Sequence, residues 1–96
     1  MKIVTQNAVN CFNKGGNATF GSNTQVTTSN GVTKLYLFDN LIAVKENGVT
    51  RISNAGWESN TTKERLNGFV GVHIQQKKGE WYLNGEKWNG NWKEIN

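Results

Sequence analysis

Five Asn-Gly pairs, Asn30-Gly31, Asn47-Gly48, Asn67-Gly68, Asn84-Gly85 and Asn89-Gly90, are spread through a chain of 96 residues that contains no proline. Asn and Gly tolerate positive φ with the least strain. Side by side they fit the type I′ turn that joins neighbouring antiparallel strands. A chain punctuated in this way is constrained towards hairpins, wherever short apolar or alternating runs flank the pairs.

Such runs are present. Residues 32–38 read as a strand, Asp39-Asn40 as a tight turn and residues 41–45 as the returning strand. Asn47-Gly48 then turns the chain into a third strand over residues 49–53. In the first of these, Leu35 and Leu37 face one side and Tyr36 and Phe38 the other. That pattern predicts a central strand covered on both faces. Further on, Val72, Ile74 and Gln76 alternate with His73, Gln75 and Lys77, Lys78-Gly79 turns the chain, and residues 80–83 return. Trp81 and Tyr82 then point to opposite faces, so only one of them can enter the core. Residues 17–29 are polar and rich in Thr, Ser and Asn, and read as one or two strands or as a loop. Residues 86–93 read as a last edge strand or a loop.

Two helices are expected. The first runs over residues 5–13, with Thr5 as N-cap, Gly15 as the stop, and Ala8, Cys11 and Phe12 on one face. The second runs over residues 62–69. Thr61-x-x-Glu64 reads as its capping box, and Leu66, Phe69 and Val70 as its apolar stripe; Gly68 weakens it and Gly71 ends it. The expectation is a single α+β domain over residues 1–96: a mostly antiparallel sheet of five to seven strands, one N-terminal helix, and one helix between strands.

Composition excludes more than it identifies. One cysteine rules out an intramolecular disulfide, and Cys11 reads as a small, buried apolar residue. No apolar run approaches the roughly 20 residues that span a bilayer, and no signal-peptide core is present. The chain is therefore expected in the cytoplasm, with no membrane partner. His73 is the only histidine and Asp39 the only aspartate. No zinc set, catalytic pair or phosphate-cradling glycine motif emerges, so neither an enzyme nor a cofactor is expected.

Binding is the better class. The net charge is +4, from 11 Lys and Arg against 7 Asp and Glu, which permits an anionic partner without requiring one. The stretch over residues 51–67 contains both arginines. Its Trp57 reads as a large packing residue. Arg51, Lys63 and Arg65 carry charges that the local structure does not call for, so replacing Lys63 and Arg65 is expected to leave folding intact. His73, Gln75 and Lys77 line one strand face, with Tyr82 beside it if the hairpin pairs in register. These seven residues are the candidate contacts for nucleic acid or a protein partner. The bland reading is that the charges are solvated surface and the tryptophans are core and rim packing.

One combination is distinctive: Ser53-Asn54-Ala55-Gly56-Trp57, Thr61-Thr62-Lys63-Glu64-Arg65-Leu66-Asn67, Gly71-Val72-x-Ile74-x-Gln76-Lys77 and Trp81-Tyr82-Leu83. It resembles a family of small proteins from tailed-phage genomes and mobile elements that carry a domain of unknown function. The resemblance covers the C-terminal half. It implies a phage source and an infected bacterial cell as the setting, and implies nothing about mechanism. The leading expectation is a non-enzymatic phage accessory protein, a small homo-oligomer, binding nucleic acid. The alternatives are an inhibitor or adaptor acting on a host defence or transcription protein, and an oligomer that captures a nucleotide.

Overall fold

The turn chemistry is realised at three of the five Asn-Gly pairs; Asn67, at φ −66°, is a helix C-cap, and Asn89 lies outside the positive-φ region. In the computed structural model, which describes residues 3–95, Asn30 and Gly31 have φ of 53° and 80°, and Asn47 and Gly48 have 54° and 76°. Lys78-Gly79 (52° and 80°) and Asn84-Gly85 (52° and 87°) repeat the two-positive pattern of a type I′ turn. The strands between them follow: β1 (Ala18–Phe20), β2 (Thr24–Ser29), β3 (Val32–Leu37), β4 (Asn40–Glu46), β5 (Val49–Ile52), β6 (Ile74–Lys77), β7 (Glu80–Leu83), β8 (Glu86–Lys87) and β9 (Lys93–Glu94). Helix α1 (Ile3–Lys14) opens the described chain and α2 (Asn60–Leu66) lies between β5 and β6. The α+β class with its two helices is as expected. The described strands divide between two antiparallel sheets: six in the order β1-β2-β3-β4-β5-β9, and three in the order β6-β7-β8.

Several local expectations need correction. The turn after β3 is made by Phe38 and Asp39, with φ of 50° and 64°, one residue earlier than expected. A left-handed conformation costs an ordinary L-residue about 1–2 kcal/mol, so a bulky phenylalanine is held there against its preference. Strand β3 is central in the large sheet, but only Thr33, Leu35 and Leu37 are buried; Lys34 and Tyr36 on its other face are half-exposed. Thr5 does not cap α1. It lies inside the helix, fully buried. The cap of α2 is Ser59, whose hydroxyl accepts the Thr62 amide, and the helix ends at Leu66 with Asn67 as C-cap. Val70 is 93% exposed rather than part of an apolar stripe.

The end of α1 follows its glycines. Gly16 donates its amide to the Cys11 carbonyl and Gly15, at φ 72°, donates to Phe12. This paired pattern is a Schellman motif, which needs a residue free to enter the left-handed region. Ala8, Val9 and Phe12 of α1 then pack into one apolar cluster with Val26, Leu35, Leu37 and Ile52 of the large sheet, Leu66 of α2, and Trp81 and Leu83 of the small sheet. Phe12 meets Phe69 edge to face, with ring centroids 5.1 Å apart.

Asn67 joins α2 to the small sheet. Its amide nitrogen donates to the Ile74 carbonyl at 3.2 Å, and its amide oxygen accepts the Ile74 N–H at 2.6 Å. The side chain thereby occupies backbone positions on the open edge of β6, where another strand would otherwise pair. Gly68 follows and lets α2 lie close to α1. A Cβ at this position would come within 2.5 Å of Thr5 Cγ2 and 2.9 Å of Val9 Cγ2. Gly68→Ala is therefore expected to overpack this contact and cost about 1–3 kcal/mol. A thermal melt should fall by roughly 4–8 °C per kcal/mol for a domain of this size, and an unchanged melting temperature would refute the close approach.

Candidate binding surface

The seven candidate residues are not one site. Arg65 is 5% exposed and its guanidinium is committed to the interior. Nε donates to Thr24 Oγ1 at 3.0 Å, and Nη1 donates to Thr5 Oγ1 at 2.7 Å and to Glu64 Oε1 at 2.6 Å. Thr5 donates in turn to the same Glu64 carboxylate. Glu64 thus serves this network rather than reaching back to cap the helix. Arg65 links α2 to α1 and β2, and is structural.

Lys63 is half-buried. Its Nζ donates to Gln76 Oε1 at 2.9 Å and lies 5.9 Å from the centroid of the Trp81 ring. It covers the buried indole while keeping its charge near water. Arg51 is exposed on β5, in the large sheet, directly across from Val44 on β4 and Glu94 on β9.

The remaining four candidates do assemble. In the small sheet Ile74 pairs with Leu83, Gln75 with Tyr82, and Gln76 with Trp81. Trp81 is 1% exposed and enters the core, as do Ile74 and Leu83. Alternation then turns Tyr82 to the opposite, solvent-facing side with Gln75 and Lys77. His73 lies within 3.5 Å of the Gln75 amide. The face also gains a residue absent from the sequence-based set: Lys87 on β8 is the direct cross-strand partner of Tyr82. Residues 86–93 carried no decisive pattern, so their strand pairing could not be read in advance. Lys87 binds Glu80 at 2.8 Å. That hydrogen bond, helped by the carboxylate charge, raises the ammonium pKa above the ordinary lysine value, so the group stays cationic throughout the neutral range.

The tryptophans divide by location. Trp81 and Trp88 are buried with ring centroids 6.3 Å apart. Trp57, expected as a packing residue, is 51% exposed and contacts Phe38, itself 52% exposed, with centroids 6.4 Å apart. The separation of these two residues along the chain concealed the pair.

The chain belongs to the Kyanoviridae Gp96 protein family, whose model matches residues 1–95, which makes it a phage protein. The resemblance to small phage proteins is thereby borne out. No curated protein and no solved structure matches the chain. No described helix is long and apolar enough to cross a membrane.

The two neighbouring cations of α2 should respond oppositely to removal. Arg65→Ala removes the buried donor that the Glu64 carboxylate and the Thr5 and Thr24 hydroxyls share, and is expected to cost about 3–5 kcal/mol. Lys63→Ala removes a water-facing contact and is expected to cost less than about 1 kcal/mol. Chemical denaturation of the two variants checks this, and equal losses would refute the assignment of Arg65 as the buried tie.

Proposed function

We propose that this phage protein is a non-enzymatic accessory protein that binds single-stranded nucleic acid on the exposed face of the β6-β7-β8 sheet. The observation that carries the reading is the register of that sheet: Gln75 and Lys87 flank Tyr82 as its cross-strand neighbours. Each group has a task in such a complex. The phenol ring offers a flat surface on which any base can stack, worth roughly 1–3 kcal/mol per base. The Gln75 amide can both donate to and accept from a base edge. Lys87 and Lys77 supply cations for the phosphates on either side, and His73 adds a further polar contact. A short three-stranded face with one aromatic residue suits a footprint of very few nucleotides. A protein chain of net charge +4 also favours the encounter with a polyanion.

The mechanism is therefore stacking for position and lysine–phosphate attraction for affinity, with little base discrimination. Arg65 takes no part, because its donors are used inside the protein. Fluorescence anisotropy with labelled single-stranded DNA, single-stranded RNA and duplex DNA tests the reading. Single strands are expected to bind best at low salt, with a log–log salt slope of about −1.4 to −2.1 for two or three phosphates met. Tyr82→Ala is expected to weaken binding by about 1–3 kcal/mol, roughly 5- to 150-fold, with the melting temperature unchanged. Absence of binding at low salt, or full affinity in the Tyr82 variant, would overturn the proposal.

A further inference from the structure

We infer that Phe38 and Trp57, with the carboxylates Asp39 and Glu58 next to them in the chain, form a dock for an arginine- or lysine-bearing segment of a partner protein. The two rings come from different places: Phe38 from the turn between β3 and β4, Trp57 from the loop that leads into α2. Each is about half exposed, and they touch with centroids 6.4 Å apart and planes inclined by 36°. Isolated surface aromatics are ordinary, whereas rings brought together from separate loops with their faces open mark contact sites.

The backbone supports the same reading. Phe38 has φ 50°, and the loop bearing Trp57 passes through Ala55 at φ 55° and Gly56 at φ 76°. Neither Phe nor Ala favours this region, in which Asn or Gly rests without strain. Residues kept in unfavourable conformations gather at functional positions, where presenting a side chain matters more than local stability.

The chemistry of the surroundings selects the occupant. Phe38 and Asp39 line a hollow of about 330 Å³ together with Tyr36, Gln25 and Asn23. Glu58 follows Trp57 in the chain and lines a groove with Trp81 and the Glu80–Lys87 ion pair. Each ring is thus followed in the chain by a carboxylate, in a protein of net charge +4. Aromatic faces attract organic cations and carboxylates pair with them; both repel phosphate. An arginine is the best fit, since its planar guanidinium stacks on a ring while donating to a carboxylate. The four residues of this dock, Phe38, Asp39, Trp57 and Glu58, are none of those assigned to the Tyr82 face.

Titration with a short Arg-Gly repeat peptide, read by tryptophan emission with Trp57→Phe as the control, tests the inference. A saturable change is expected, about tenfold tighter than for a Glu-Gly repeat. Phe38→Asn suits φ near 50°, so its melting temperature should hold or rise while peptide affinity drops about tenfold or more. Asp39→Asn removes charge without disturbing the turn and should weaken binding as well. No saturable change, equal binding of the Glu-Gly peptide, or full affinity in Phe38→Asn would overturn the inference. So would a lower melting temperature of Phe38→Asn, which would make Phe38 a packing residue. Displacement of the peptide by oligothymidylate, or a dimer that Phe38→Asn dissociates, would assign the surface to nucleic acid or to a second copy instead.

Discussion

A buried guanidinium is the constraint on which the remaining structure depends. Taking the Arg65 charge out of water is unfavourable unless a carboxylate and further acceptors meet it. Glu64, Thr5 and Thr24 do so from three elements at once. Satisfying one side chain therefore fixes how α2 sits against α1 and the large sheet. Everything that α2 carries then follows. Lys63 reaches the Trp81 ring, Asn67 reaches the backbone of β6, and Gly68 fits against Thr5 and Val9. The forked geometry of arginine matters here, because a lysine could not donate in these several directions from one planar group.

Much of the fold could be read from local rules, and the failures share a cause. Asn-Gly turns and two-residue alternation located the hairpins, and set Trp81 and Tyr82 on opposite faces. Both are decided by neighbours a few residues apart. The burial of Arg65 was not legible, because Thr5 lies 60 residues away in sequence. The turn after β3 was placed one residue late because Phe38 carries no turn signal, and the true cap Ser59 was passed over for a better-known sequence pattern. Of the candidate site, His73, Gln75, Lys77 and Tyr82 were legible as one face by alternation alone. Arg51, Lys63 and Arg65 were grouped by closeness in the chain, and the structure separates them because Arg51 lies on β5 while Lys63 and Arg65 leave different sides of α2. Lys87 lies just across the Asn84-Gly85 turn from Tyr82, but in a stretch that read equally as strand or loop, and the Phe38–Trp57 pair required a tertiary contact that no local pattern encodes.

The aromatic residues show how a small chain divides limited material between stability and recognition. Trp81 and Trp88 fill the space where the small sheet meets the common core. Burial there leaves Trp81 Nε1 as the one buried side-chain polar atom without a hydrogen-bond partner among the described residues, an unfavourable term of about 1–3 kcal/mol that the large apolar area of the indole offsets. Tyr82, Phe38 and Trp57 add less to the core and are held outward by strand alternation or by turns with positive φ.

The position of β9 carries a consequence for how the molecule comes into being. Strands β1 to β5 are neighbours in both sequence and space, so the meander can assemble as each hairpin leaves the ribosome. Its outer edge at β5 is different. Ile52 and Arg51 pair with Lys93 and Glu94, which lie far along the chain beyond α2 and the small sheet. Likewise, the first helix keeps a buried hydroxyl waiting for an arginine made 60 residues later. Helix α1 is thus secured by α2, and β5 by β9. Because synthesis runs from the N-terminus, the hairpins of the meander have their partners before α1 and β5 have theirs.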